Sequence, residues 1–263
     1  MSELDLDWNA TTEEILTFIR NVVKSAGANG SVVGLSGGVD SSLVAKLLVM
    51  AIGRENVLGL ILPTTFTPKE DIDDARWLAS ELGIRSELID IESSVDSLVK
   101  AMGPLHEHKR SKVCIANIRS RVRMIMLYYF ANLERLLVAG TGDRSEDLIG
   151  YFTKYGDGGV DFLPISHLYK TQVRKLAQFL GLPSRIAMKP SSPQLYPGHK
   201  ATDEIPLDYD RLDPILKMLL DDQKPVNEVA HVTKISVEIV REVYGRFRVS
   251  VHKRTYPPMV RLW

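Results

Sequence analysis

Residues Val33 to Ser42 read VGLSGGVDSS, and this segment is the most informative about the fold. It overlaps an apolar run, Ser31 to Leu35, that is typical of a buried strand, and helical periodicity returns over Ser41 to Met50. The glycines let the backbone approach an anion closely, and the helix that follows points unpaired amide groups at it. The stretch therefore predicts a strand, a phosphate-binding loop and a helix. A serine- and glycine-rich turn that only caps a helix is the alternative.

The residues of this loop favour one kind of nucleotide chemistry. The loop lacks the lysine and the spacing of a Walker A motif, so it does not favour transfer of a terminal phosphoryl group. A carboxylate at Asp40, beside a polyphosphate, would be repelled unless Mg²⁺ bridged the two. Ser36, Ser41 and Ser42 add hydroxyl donors. The loop thus predicts a polyphosphate and Mg²⁺ as ligands.

Strands alternate with helices on both sides of this loop. Further strands are predicted at Val57 to Leu62, Ile84 to Ile89 and Leu136 to Ala139. Helices are predicted at Ile15 to Lys24, Asp71 to Leu82, Val113 to Leu133 and Tyr169 to Leu180. The first of these is expected to be capped by Thr11 or Thr12. The alternation predicts an α/β fold with a doubly wound, mostly parallel sheet flanked by helices.

Composition limits the classes of protein that remain. The chain carries 33 lysines and arginines against 33 aspartates and glutamates, so it has no net charge to attract nucleic acid or an anionic membrane. Cys114 is the only cysteine, which excludes an internal disulfide and a zinc site of several thiolates. No run approaches about 18 apolar residues, and Met1 to Asn9 are too acidic for a signal peptide. We expect a cytoplasmic protein of one domain, residues 1–263, with neither nucleic acid nor membrane as a partner.

Two charged stretches further along the chain are candidates for the same site. Gly140 to Asp147 (GTGDRSED) follow a predicted strand directly, at the edge where parallel sheets bind ligands. Glu146 is a candidate second metal ligand, although these acids equally suit the first turn of a helix. Asn117 to Arg123 (NIRSRVR) place three arginines where guanidinium groups could hold phosphate or carboxylate. A solvated helix face is the alternative there.

Two loops complete the candidate segments. Phe152 to Gly159 (FTKYGDGG) contain three glycines, a lysine and an aspartate in a span too small to build core, which favours a loop that shapes a ligand site. Lys189 to Pro206 contain four prolines, a composition that cannot sustain a helix or a central strand. We predict a mobile loop at about residues 189–206.

The loop around Asp40 resembles the SGGxDS signature of the ATP pyrophosphatases, which cleave ATP between its α and β phosphates and keep the pyrophosphate in the loop. Four more motifs, NIRSR, GTGDRSED, YFTKYGDGGVDFLPIS and YKTQVRKLA, follow in the order and approximate spacing of the NAD synthetase family. The resemblance covers most of the chain, and FTKYGDGG is its most specific part. It implies a Rossmann-like ATP pyrophosphatase fold. It also implies that ATP adenylates the nicotinate carboxylate of deamido-NAD, and that ammonia then attacks to give NAD, AMP and pyrophosphate.

The resemblance implies roles for individual residues. Asp40 and Glu146 correspond to the Mg²⁺ ligands, and Asp40 and Lys170 to catalytic residues. The residues implied in ATP binding are Gly34, Leu35, Ser36, Gly37, Gly38, Val39, Asp40, Ser41, Ser42, Thr141, Lys170 and Ser192. The residues implied in deamido-NAD binding are Arg121, Lys154, Asp161, His252 and Lys253. The last two lie in a basic tail that equally suits a solvated chain end.

The resemblance carries two further expectations and leaves two rivals. In the family the long helix, here Val113 to Leu133, belongs to a dimer interface, so a homodimer is implied. Relatives that draw ammonia from glutamine carry an additional amidase domain, for which 263 residues leave no room, so free ammonia is expected. One rival is another ATP pyrophosphatase, such as a tRNA-thiolating or tRNA-lysidine enzyme, which one cysteine and zero net charge fit poorly. The other is a nucleotide sensor that binds without turnover.

Overall fold

A four-stranded parallel sheet lies at the centre of the structure, a computed structural model that describes residues 4–103, 111–191, 196, 198 and 204–260. The strands are β1 (Gly30–Gly34), β2 (Val57–Ile61), β3 (Arg85–Leu88) and β4 (Leu136–Ala139). Their order in the sheet is β3-β2-β1-β4, and every neighbouring pair is parallel. The inner strands are runs of small and aliphatic residues because both of their faces are covered.

Helices precede, connect and follow these strands. They are α1 (Trp8–Ser25), α2 (Val39–Ile52), α3 (Lys69–Leu82), α4 (Glu92–Ala101), α5 (Ser111–Glu134), α6 (Arg144–Ile149), α7 (Lys170–Phe179), α8 (Ser184–Ala187), α9 (Tyr209–Leu216), α10 (Val226–Thr233), α11 (Val237–Val249) and α12 (Val251–Arg254). A π turn, Lys217–Asp221, extends α9. No helix in the described ranges is both long and apolar enough to cross a membrane.

The helices cover both faces of the sheet. Val33 of β1 belongs to an apolar cluster with residues of α1, α2, α3 and α7, whereas its neighbour Val32 belongs to a second cluster with residues of α4 and α5. Successive side chains of a strand point to opposite faces, so the two valines mark the two layers. The predicted doubly wound α/β fold is confirmed.

A third apolar cluster packs the C-terminal helices together. It joins Leu148 and Ile149 of α6 to residues of α9, α10 and α11, including the fully buried Leu212 and Val240. Because α6 also follows β4 closely, this cluster holds the C-terminal helices against the carboxyl end of the sheet.

The start of α1 differs from the prediction. The helix begins at Trp8, and Asp7 caps it by accepting from the amides of Asn9 and Ala10 at 3.0 and 3.1 Å. Thr12 lies inside the helix, where its hydroxyl donates to the Trp8 carbonyl at 2.6 Å. The expectation of a threonine cap was therefore wrong, since an aspartate one turn earlier supplies the stronger acceptor.

Candidate active site

The glycine loop, defined here as Gly34 to Ser42, joins the end of β1 to the start of α2. Gly38 precedes the first helical residue and has no side chain with which to cap it. The Ser36 and Ser41 hydroxyls lie 3.0 Å apart, and Ser36 Oγ accepts from the Gly38 amide at 3.2 Å. The first amides of a helix have no partner within it. The loop therefore offers hydrogen-bond donors and the positive end of α2 to an anion.

Two residues of the glycine loop maintain its shape. Gly37 has a φ of +77°, and a Cβ at this position would lie 2.3 Å from the Asp71 carbonyl oxygen, so only glycine fits. Ser42 is fully buried, and its hydroxyl donates to the Gly38 carbonyl at 2.7 Å. Its hydroxyl thus secures the first turn of α2.

Lys170, the first residue of α7, places its ammonium group among three carboxylates. Its Nζ lies 2.8 Å from Asp40 Oδ2, 2.7 Å from Asp143 Oδ2 and 2.8 Å from Glu146 Oε1. We call the three acids the acidic cluster, and each offers an oxygen within 4.8 Å of the others. Asp40 comes from the first turn of α2, whereas Asp143 and Glu146 come from the start of α6. Three segments that are remote in sequence meet at this point.

The electrostatics of the acidic cluster favour an added cation. Burial raises the pKa of Asp143 and of Glu146, and the charge of Lys170 offsets this only in part. Burial alone would lower the pKa of Lys170, but the surrounding carboxylates raise it well above its usual range, so Lys170 stays protonated. In addition, Asp40 Oδ1 is buried and has no hydrogen-bond partner among the described residues. Oxygen donors with excess negative charge suit Mg²⁺, and the residues present fit such an ion.

A cavity of about 720 Å³ opens beside the acidic cluster, at the carboxyl ends of β1, β2 and β4. Its walls include the glycine loop, Leu60 to Pro63 at the end of β2, one face of α5 and parts of the FTKYGDGG loop. β2 and β4 lie on opposite sides of β1, so the strand order reverses direction at β1. Doubly wound sheets bind ligands at such a switch point.

The other residues singled out from the sequence fall into two groups. Thr141 and Lys253 line the cavity. Arg121, Lys154 and His252 do not line it but form a row beside it. Arg121 Nη2 donates to the Lys154 carbonyl at 3.3 Å, and Lys154 Nζ donates to the His252 carbonyl at 2.7 Å. The basic tail is thus joined to the FTKYGDGG loop.

Lys253 and Asp161 each tie a loop to its surroundings. Lys253 Nζ donates to the carbonyls of Gly150 and Phe152, both at 2.7 Å. Asp161 accepts from the Val138 amide at 2.7 Å and from the Tyr128 hydroxyl at 3.0 Å. Ser192, and most of the mobile loop predicted at 189–206, lie outside the described residues.

Four more side chains lie near the site. Arg123 was a candidate anion-binding group within NIRSRVR, whereas Asp143, Tyr209 and Asp213 were given no role from the sequence. Arg123 donates to the Leu62 carbonyl at 3.0 Å, and burial lowers its pKa to about 10. Asp143 accepts from the Glu146 amide at 2.9 Å and so caps α6 while it also faces Lys170. The Tyr209 ring lies 5.2 Å from Lys170 Nζ. Asp143 stands within a quoted motif, whereas no local pattern marks Tyr209 or Asp213.

Comparison with known proteins identifies the family to which the chain belongs. A family model described as NAD synthase matches residues 11–257. The chain belongs to the NAD synthase family. It is 54% identical over 256 residues to a protein of Hyperthermus butylicus named NH3-dependent NAD⁺ synthetase, covering 97% of this chain and 91% of that protein.

Solved structures of this family have the same fold. The chain resembles an NH3-dependent NAD synthetase from Campylobacter jejuni with a TM-score of 0.81 and 31% identity, over 98% of this chain and 100% of the other. It also resembles an NMN synthetase from Francisella tularensis with a TM-score of 0.85 and 28% identity, over 98% of this chain and 100% of that one. The family resemblance read from the motifs is therefore confirmed.

Proposed function

We propose that this chain catalyses the ATP-dependent amidation of deamido-NAD to NAD with ammonia, releasing AMP and pyrophosphate. One observation carries the proposal beyond family membership. The glycine loop lines one cavity together with Asp40 and Glu146, and these two acids belong to the acidic cluster around the buried Lys170, which supports a phosphate site and a cation site side by side. ATP cleaved between its α and β phosphates needs both.

The ATP site is proposed along the glycine loop. The unpaired amides at the start of α2, together with the Ser36 and Ser41 hydroxyls, would hold the phosphates that leave as pyrophosphate. Thr141, just past β4, lies in the cavity wall and offers a further hydroxyl. Ser192 is assigned to ATP on the family motif alone. The buried ammonium of Lys170 would offset the negative charge that develops as the α–β bond breaks.

Mg²⁺ is proposed as the resident cation, with Asp40 and Glu146 as ligands. The orphaned Asp40 Oδ1 and the excess of carboxylates over ammonium support this, and Asp143 is a third candidate ligand. A bound Mg²⁺ would neutralise phosphate charge and orient the leaving pyrophosphate.

Deamido-NAD is proposed to occupy the cavity and the row of basic residues beside it. Arg121, Lys154, His252 and Lys253 offer positive charge or hydrogen-bond donors to its anionic parts, and Lys253 reaches the cavity itself. Both Asp161 oxygens are already bonded, which supports a role in holding the loop that shapes this subsite. The nicotinate carboxylate attacks the α-phosphorus of ATP, and ammonia then displaces AMP from the acyl adenylate. No nucleophile from the chain is needed, so its residues act by binding and orientation.

A homodimer is proposed through α5. Ile125, Tyr129 and Leu133 on this helix are 56%, 62% and 64% exposed, at the four-residue spacing that lines up side chains on one helical face. An apolar row of this kind is typical of a protein–protein contact.

We also propose that residues 1–263 act as one domain that takes free ammonia.

The test is a turnover assay with purified protein, ATP, Mg²⁺ and a matched set of substrates. Ammonium is compared with glutamine as the donor, and deamido-NAD with nicotinate mononucleotide as the acceptor, because one structural relative is named an NMN synthetase. We expect equal amounts of NAD and AMP from ammonium and deamido-NAD. ATP binding without any AMP formation under these conditions would reject the proposal and favour a nucleotide sensor.

A further inference from the structure

A fourth carboxylate, Asp213 of α9, is fully buried at the start of α7. Its Oδ1 accepts from the Ser145 hydroxyl at 2.6 Å. Its Oδ2 accepts from both the backbone amide and the hydroxyl of Thr171, each at 2.8 Å. Ser145 Oγ in turn accepts from the Lys170 amide at 2.9 Å. One carboxylate therefore binds α6 through Ser145 and α7 through Thr171.

The two residues that Asp213 binds are sequence neighbours of the residues that face the cation site. Ser145 directly precedes Glu146, and Thr171 directly follows Lys170. Because neighbouring residues share a rigid turn of helix, fixing Ser145 against Thr171 also fixes Glu146 against Lys170. The fixed pair lies 2.8 Å apart, from Oε1 to Nζ.

Asp213 caps α7 and at the same time binds α6. The Thr171 amide lies in the first turn of α7, where it has no partner within the helix, and Asp213 Oδ2 accepts from it, whereas the Tyr169 amide donates to Gln172 Oε1 at 2.8 Å. An additional carboxylate buried close to the acidic cluster costs free energy, because it adds negative charge in a region of low dielectric constant. Asp213 offsets this cost by accepting three hydrogen bonds, and these bonds join α6 to α7 beside the acidic cluster.

We propose that Asp213 is a positioning residue that sets the spacing between Glu146 and Lys170, and through it the affinity of the site for the divalent cation and the rate of ATP cleavage. This inference rests on the proposed function. Within the described residues the C-terminal helices contribute no acid to the acidic cluster, yet through Asp213 they set its geometry.

The experiment compares Asp213→Asn with Asp210→Asn in the full-length protein. Asp210 lies on the same helix but is 75% exposed, so it controls for the substitution itself. The variants are compared for kcat and KM with deamido-NAD. Their Mn²⁺ affinity is measured by electron paramagnetic resonance in the presence of ATP and the absence of deamido-NAD. Their thermal unfolding is measured as well. For Asp213→Asn we expect kcat and Mn²⁺ affinity to fall about 10- to 100-fold with KM for deamido-NAD unchanged, and Asp210→Asn to match the wild type.

A second pair of variants covers the case in which Asp213→Asn does not fold. Thr171→Val removes the hydroxyl that Asp213 accepts from, whereas Thr171→Ser keeps it. We expect Thr171→Val to lower kcat and Mn²⁺ affinity, and Thr171→Ser to keep both at the wild-type level. If Asp213→Asn matches Asp210→Asn, or if Thr171→Val matches Thr171→Ser, the inference is overturned. Absence of turnover in the wild type would reject the proposed function instead, and Mn²⁺ affinity would still test the positioning role.

Discussion

Asp40→Asn separates the proposed catalytic role of the acidic cluster from its effect on stability. The substitution keeps the size and shape of the side chain but removes one of the three carboxylates around Lys170. If Asp40 serves the cation and the ATP, the variant should lose activity. Its folded state should nevertheless be about as stable as that of the wild type when no divalent cation is present.

The contacts of Asp40 give the size of the stability effect. At an alkaline pH, where both neighbouring carboxylates are ionised despite their raised pKa values, and with an effective dielectric constant of about 20, each one within 4.8 Å repels Asp40 by at least about 3.5 kcal/mol, so the pair repels it by about 7 kcal/mol. Lys170 Nζ at 2.8 Å attracts it by about 6 kcal/mol. The two effects nearly cancel, so the free energy of unfolding should change by about 1 kcal/mol or less, equivalent to about 2–4 °C.

The assays are urea denaturation in the presence of a chelator and turnover with Mg²⁺, deamido-NAD and ammonium. Loss of a cation ligand worth about 3 kcal/mol to the transition state lowers kcat about 100-fold. Asp73→Asn is the control, since Asp73 is half exposed on α3. The reasoning is refuted if Asp40→Asn unfolds several kcal/mol more easily than the wild type, or if it retains wild-type turnover at saturating Mg²⁺.

Three more predictions concern the loop, the pH dependence and the assembly. Gly37→Ala places a methyl group against the Asp71 carbonyl at a φ of +77°, so we expect a loss of about 1–3 kcal/mol in the free energy of unfolding and weaker ATP binding by calorimetry. Burial alone would raise the pKa of Asp74, but its contacts with Lys189 and a neighbouring guanidinium hold that pKa below its usual value. The resulting stabilisation is present above the unfolded-state pKa of about 3.9 and is lost as the pH falls through the lower folded value, so Asp74→Asn should flatten the acid loss of stability in urea titrations. Tyr129→Glu on the exposed face of α5 should convert the proposed dimer to a monomer in analytical ultracentrifugation.

The first two of these predictions have matched control variants, and the third has an outcome that would contradict it. Gly27→Ala carries a similar cost in backbone strain, at a φ of +61°, but has no steric clash, because its Cβ would meet nothing within 4 Å. If it destabilises the protein as much as Gly37→Ala, the steric argument fails. Asp73→Asn should leave the acid limb of stability unchanged, and an equal effect from it would count against the assignment to Asp74. A wild-type protein that sediments as a monomer would exclude the dimer.

The sequence predicted the sheet well because local chemistry determines it. β1 and β2 are buried small and aliphatic runs, and their boundaries follow from that pattern. α4 was not predicted, because it contains three serines and buries only Glu92 and Val95. A helix that buries so little surface has a weak pattern, and its formation depends on packing against the rest of the protein.

Those residues of the candidate site that lie within recognisable sequence motifs could be predicted. Asp40, Glu146 and Lys170 stand in contiguous motifs, and the structure brings all three together. Asp213 stands in no such motif. Its contacts with Ser145 and Thr171 span 68 and 42 residues, and only the folded chain reveals them. Assignments that depend on long-range contacts are therefore out of reach of local patterns.

Lys170 lies 130 positions after Asp40, and this separation has a consequence for synthesis of the protein on the ribosome. The glycine loop is synthesised early, but the lysine that completes the site follows much later and the helix that carries Asp213 later still. Because chains are made from the N-terminus, a nascent chain holds a phosphate loop well before it holds a complete site. If the proposed roles of Lys170 and Asp213 hold, an incomplete chain cannot cleave ATP, and turnover begins only after the C-terminal helices have been synthesised and folded.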